Sequence, residues 1–141
     1  MSPAASEAEL RALIEQAVFA RDYRFSLRRI DDGLCTLLVP FQSALERPGG
    51  VVGGPAFMAA ADVAMWLAIL TRLGVADRSV TSALNTTFVS AARREDFLCT
   101  ARVLRLGRRL VHGSAECVSA GGRLLTYHTI TYARPPAEDR P

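Results

Sequence analysis

One charged residue stands in the most apolar stretch of the chain. Between Ala56 and Leu70 the sequence reads AFMAAADVAMWLAIL, and only Asp62 carries a charge. An ionised carboxylate buried without partners is costly, so Asp62 must be paired, neutral, or turned toward a cavity where it acts as a base or a nucleophile. Gly53 and Gly54 stand just ahead of this run, where a backbone without side chains lets another group come close. The other chemistry-bearing residues form no comparable pattern. His112 and His128 have no Cys or acid at metal-ligand spacing. Ser43, Ser90 and Ser114 lack the strand-turn-helix setting of a nucleophilic serine. Cys35, Cys99 and Cys117 lie far apart on apolar segments, which predicts buried, reduced thiols in a cytoplasmic protein rather than a zinc or redox motif.

The element that must position Asp62 is a helix. Its alanines, Ala59, Ala60, Ala61, Ala64 and Ala68, favour helix and permit close packing. Pro55 suits the first turn, and Gly74 after Arg72 is a natural stop. With no polar residue every third or fourth position, the helix is expected to be buried nearly all round. The apolar run is also shorter than the roughly 20 residues a bilayer span requires.

Around that helix the punctuation is regular. Ser6 and Glu9 form a capping box for a short helix ending near Ala20, with Leu10, Leu13, Ile14, Ala17 and Val18 as its apolar stripe. Arg24 to Ile30 and Leu34 to Phe41 read as strands about the turn Asp31-Asp32-Gly33. After the central helix come four β-rich segments, Ser79 to Val89, Phe97 to Leu106, Arg109 to Ser119 and Arg123 to Ala133, with Gly107 and Gly121-Gly122 marking hairpins. One antiparallel sheet wrapped around one apolar helix, an α+β architecture, is the economical solution.

The chain has 141 residues, half of them hydrophobic, enough for one domain with a real core. That domain is expected over residues 1–134, with residues 135–141 a disordered tail. The polar, acidic N-terminus reads as neither signal peptide nor anchor. The formal charge is +3, and all 17 basic residues are Arg. No basic run is interleaved with aromatics, so neither a nucleic-acid nor a membrane partner is expected, whereas a phosphate-bearing small molecule would suit the balance.

Three segments, in order and in register, resemble the hotdog fold and in particular the PaaI-like acyl-CoA thioesterases, related to 4-hydroxybenzoyl-CoA thioesterases. They are Gly50-Val51-Val52-Gly53-Gly54-Pro55 followed after six residues by Asp62, then Thr81-Ser82-Ala83-Leu84-Asn85-Thr86-Thr87-Phe88, then Gly107-Arg108-Arg109. The likeness runs from Phe25 to Tyr132. It departs from the family at Gly53, where a His is usual, at Pro55, where a second Gly is usual, and at Arg47, where an Asn is common.

The resemblance implies hydrolysis of an acyl-CoA to free acid and coenzyme A, with coenzyme A as part of the substrate and no metal or other cofactor. Asp62 would activate water or attack directly, and the Gly54 N–H, at the positive end of the helix dipole, would polarise the thioester carbonyl. Thr81 would hold the attacking water. Gly53, Phe57, Met58, Trp66 and Asn85 would line the substrate site, and Arg93, Arg94, Arg108 and Arg109 are candidates for the phosphates of coenzyme A. Gly54 and Asp62 are eight residues apart on one helix, roughly 12 Å. One carbonyl cannot touch both, so each site must combine two chains, which implies a homodimer, with a dimer of dimers as the larger assembly. The competing readings are a non-catalytic acyl-CoA binding or sensing protein and, more weakly, a hotdog hydratase or dehydratase, for which no Asp-His pair is found.

Overall fold

The computed structural model describes residues 3–141, so the first two residues of the expected domain lie outside the described part. Helix α1 spans Glu7–Gln16, and Ser6 caps it: its hydroxyl accepts the Glu9 N–H at 3.1 Å while the Glu9 carboxylate accepts the Ser6 N–H at 3.0 Å. The helix stops at Gln16, short of Ala20, because the chain tightens into a 3-10 segment at Val18–Tyr23. That segment closes at Arg24, which adopts the left-handed conformation at φ 56°. Leu10 is buried as the stripe required, but Val18, beyond the helix end, is exposed.

Strands β1 (Ser26–Asp31) and β2 (Leu34–Val39) pair antiparallel through Asp32 and Gly33, with Gly33 at φ 71°. The left-handed Arg24 delays the start of β1, and β2 ends before Pro40. Two short strands, β3 (Glu46–Arg47) and β4 (Val51–Val52), pair beside the start of the central helix α2 (Gly54–Leu73). Helix α2 has Gly53 as its N-cap and Pro55 in its first turn, and it ends where the Gly74 N–H returns to Leu70 O at 2.8 Å.

Strands β5 (Val80–Phe88), β6 (Phe97–Leu106), β7 (Leu110–Ser119) and β8 (Leu124–Ala133) complete a six-stranded antiparallel sheet in the order β1-β2-β6-β7-β8-β5. Strand β5 is therefore an edge, and Val80 and Phe88 at its two ends are more than half exposed. Helix α2 lies across the concave face, with Phe57, Met65, Leu67, Ile69 and Leu70 buried against the sheet. The closest approach falls at Gly113 on β7, where any Cβ would collide with the Met65 side chain.

Two expectations need correction. The helix is not enclosed all round: Pro55, Met58, Ala59, Asp62 and Trp66, at three- and four-residue steps, form a stripe only partly covered. That stripe is mostly apolar, so composition hides it. At 20 residues α2 is also longer than the apolar run and is long and apolar enough to cross a membrane, yet two thirds of its most apolar window is buried in the fold. The last residues are not a structureless tail. They form a 3-10 turn at Ala137–Asp139, and Arg140 donates to Pro135 O at 2.9 Å and Arg108 O at 2.6 Å.

Candidate active site

Asp62 sits midway along α2, on the open stripe, facing the start of β5 and the end of β8. Thr81 donates its hydroxyl to Asp62 Oδ1 at 2.7 Å, and the Tyr132 hydroxyl donates to the same oxygen at 2.8 Å while lying 3.0 Å from the Asp62 backbone carbonyl. Both donors converge on Oδ1, which leaves Oδ2 available to a water or a substrate. The Tyr132 hydroxyl lies in the core, and burial, then the neighbouring Asp62 charge, push its pKa up against the lowering effect of Thr81, so it remains a neutral donor. Tyr132 is the site residue that sequence reasoning missed: it stands seventy positions from Asp62 and meets it only through the β5–β8 register, in which Thr81 pairs with Tyr132. By acting on the carboxylate and not on substrate, it is a positioning residue.

The same sheet explains why Asn85 does not join this group. A bulge between Thr81 and Ala83 inserts one residue into β5, so the inward series after Thr81 becomes Leu84, Thr86 and Phe88. Leu84 packs on the core and Thr86 bonds to the buried His128, while Asn85, opposite Thr129, faces away from α2. Asn85, expected to line the substrate site, therefore stands apart from the Asp62 group in its own chain.

At the other end of β5, Gly54 opens helix α2. Its N–H, the first of the helix, has no intrahelical acceptor, while the preceding Gly53 N–H is already bonded to Leu45 O at 2.8 Å. The Gly54 N–H, the expected donor, is thus available, whereas the N–H of Gly53, expected to line the substrate site, is engaged within the chain. Phe88 lies over Gly54, its ring 3.1 Å from where a Cβ would stand. Gly54, Phe57, Phe88, Val89 and Arg47 line a groove of about 420 Å³. Phe57 is buried between Phe97, at a centroid distance of 4.6 Å, and Phe88, at 6.5 Å. Met58 is exposed on the stripe, and Trp66, one turn beyond Asp62, leans on Phe19 at 6.2 Å.

The four arginines separate into two pairs. Arg93 donates to Gly49 O at 3.2 Å and Arg94 pairs with Glu46 at 3.7 Å, both ahead of β6. Arg108 and Arg109 form the turn after β6, beyond its ten residues, about 33 Å of strand. Within one chain these pairs lie at opposite ends of the sheet.

His128 and the cysteines have a structural role. His128 Nδ1 lies 2.8 Å from Thr86 Oγ1 and Nε2 lies 2.7 Å from Thr126 Oγ1, which satisfies both ring nitrogens inside the core. Cys99 and Cys117 stand opposite each other on β6 and β7, with Cys117 Sγ 3.8 Å from His128 Nε2. The thiols are buried and free as expected, but strand pairing brings these two together despite their distance in sequence. Burial pushes the Cys35 thiol up to about 12, and donation of the Cys99 S–H to Cys117, together with burial, raises Cys99. Among the described residues no three His, Cys, Asp or Glu side chains converge as a metal-binding group.

An antiparallel sheet curved around one long helix, with an acid in that helix held from the last strand, defines a hotdog-type domain. The chain belongs to the thioesterase superfamily, whose model matches residues 49–127. A structure of a putative thioesterase from Silicibacter sp. TM1040 is 31% identical, with a TM-score of 0.86 and 96% of each chain covered. The curated protein "Putative esterase Ta0293" of Thermoplasma acidophilum is 24% identical over 124 residues, 88% of this chain and 93% of that one. A hypothetical thioesterase protein of Streptococcus pneumoniae TIGR4, crystallised with coenzyme A, shares the fold at 13% identity and a TM-score of 0.73, covering 79% of this chain and 85% of its own.

Proposed function

We propose that this protein hydrolyses an acyl-CoA thioester to a free acid and coenzyme A. The observation that carries the reading is the Asp62 carboxylate, fixed through Oδ1 by Thr81 and Tyr132 with Oδ2 left free, in a chain of the thioesterase superfamily. Oδ2 takes a proton from water as the water oxygen attacks the carbonyl carbon. The C–S bond then breaks, and the departing thiolate recovers a proton. Negative charge on the carbonyl oxygen is met by the Gly54 N–H at the start of the helix dipole. Thr81 serves here by orienting the carboxylate as well as the water beside it.

Topology supports a composite site. Thr81 and Phe88 lie at opposite ends of the unpaired edge β5, near Asp62 and Gly54 respectively. Antiparallel pairing of β5 with its copy about a two-fold axis places the Thr81 end of one chain against the Phe88 end of the other. Each dimer then has two sites, each with Asp62 from one protomer and Gly54 from its partner, and the exposed Val80, Phe88 and Val89 become covered. Pairing of such dimers into a tetramer, and a cytoplasmic setting, belong to the same proposal. The open stripe at Met58 and Trp66 borders the acyl group. Incubation with a panel of acyl-CoAs and a thiol reagent tests the reading: release of thiol supports it, and tight binding without release replaces it with an acyl-CoA sensor.

A further inference from the structure

Away from Asp62 the chain presents an apolar knob beside a hole. Val18 and Phe19, in the 3-10 segment Val18–Tyr23, are each 69% exposed, more than any other large hydrophobic side chain among the described residues. Phe19 leans on Trp66 and borders a groove of about 570 Å³, whose walls include Tyr23, Ala44 and Leu45. The segment is firmly held: Tyr23 stacks on Phe25 at 5.2 Å, the Gln42 side chain donates to Asp22 O at 2.9 Å, and the Arg24 N–H donates to Arg21 O at 3.2 Å. A knob on a fixed support loses little freedom when it is covered. Arg21 and Asp22 line the same groove, both are exposed, and neither forms an ion pair among the described residues. Knob, hole and one charge of each sign on one segment make a self-complementary surface, which is what a two-fold contact between identical chains requires. The outer face of the sheet is different. There Arg102 stands in register with Ser114 and Thr129, and Glu116 with Thr100 and Tyr127, groups that water satisfies.

We infer that the Val18–Tyr23 segment is a contact between two copies of this chain: Phe19 of each copy enters the groove beside Tyr23 and Leu45 of the other, and Arg21 pairs with Asp22 across the two-fold axis. The segment leads into β1, at the sheet edge opposite β5, so this contact and β5 pairing can form at once. Two two-fold contacts per chain, with crossing axes, close a tetramer. The contact rests on the proposed reading only for the β5-paired dimers that it joins. It also covers Trp66 through Phe19, and so shields the end of the open α2 stripe one turn beyond Asp62.

The test reads the mass of the full chain by light scattering after gel filtration. Wild type should elute as a tetramer, and Phe19→Asp, a change at an exposed position, should leave dimers. Arg21→Asp and Asp22→Arg each set like charges against each other across the axis. Each should raise the dimer–dimer dissociation constant about tenfold or more, and the two together should restore it. Arg102→Glu, on the outer sheet face, should leave the tetramer intact. Thermal melting identifies a variant that has lost its fold, and the double charge exchange keeps the test decisive if Phe19→Asp unfolds. A folded Phe19→Asp tetramer would overturn the inference, as would a double exchange no better than its single parents or a mass halved by Arg102→Glu. If Phe19→Asp keeps its mass but cleaves longer acyl-CoAs than the wild type does, the knob covers substrate and the inference falls. If it turns a wild-type dimer into single chains, the Phe19 contact stands and the β5 pairing falls. Absence of thiol release from every acyl-CoA would remove the hydrolase and leave these masses unchanged.

Discussion

At the Thr81 end of β5 one chain supplies a finished arrangement: Asp62 is gripped by two hydroxyls from two strands, within 2.8 Å. At the Phe88 end the same chain leaves its parts open. The Gly54 N–H has no intrahelical partner, the groove beside it is lined by Phe88 and Val89, and both of those are more than half exposed. The acid needs rigid positioning, which packed strands provide. The donor needs access, which a helix start at a sheet edge provides. An edge with exposed apolar ends favours pairing with another strand, and in the proposed dimer the open end of one chain complements the finished end of a second.

The largest effect should come from the finished end. Asp62→Asn is nearly isosteric and keeps an acceptor for Thr81 and Tyr132, so the fold should persist while turnover falls by on the order of a hundredfold or more. Turnover at the wild-type level, measured as thiol release, would remove Asp62 from the reaction.

The open end is tested by complementation. Gly54→Leu places a side chain where the Phe88 ring stands 3.1 Å away and blocks approach to the Gly54 N–H, so this chain alone should be inactive, as should Asp62→Asn. A purified mixed dimer of the two has one site with both defects and one with neither. It should recover about half the wild-type rate, as two independent sites per dimer require. Folded mixed dimers as inactive as their parents would show that donor and acid belong to one chain.

The contrast between the two ends also marks what the sequence made legible. Strands β6, β7 and β8 fall within a residue of their expected bounds, because Gly107 and Gly121-Gly122 punctuate them. The lone Asp62 in an apolar run marked the central helix. What escaped was what depends on register. Tyr132 reads as an ordinary strand aromatic until β8 is aligned with β5. The outward side of β5 on which Asn85 stands follows from a single bulge residue between Thr81 and Ala83 that no residue type announces. Cys99 and Cys117 are remote in sequence and opposite each other in the sheet. The open stripe of α2 left no trace in composition, since apart from Asp62 its residues, Pro55, Met58, Ala59 and Trp66, are as apolar as a core.

A smaller effect separates the role of Tyr132 from mere packing. Tyr132→Phe keeps the ring in the core and removes one of the two donors to Oδ1. Loss of one such hydrogen bond, worth about 1 kcal/mol, predicts a turnover loss of roughly five- to tenfold, far short of that for Asp62→Asn. The same substitution has a signature in stability. The folded protein raises the Tyr132 pKa above its ordinary value of 10, mainly through burial, so the folded state holds this proton more tightly than the unfolded one. That contribution is complete below the ordinary value and is lost as pH rises through the folded one. Denaturant midpoints of the wild type should therefore decline above about pH 10, and Tyr132→Phe, which has no proton to lose there, should decline less. Parallel curves for the two proteins would mean that the hydroxyl is not the buried donor that fixes Asp62.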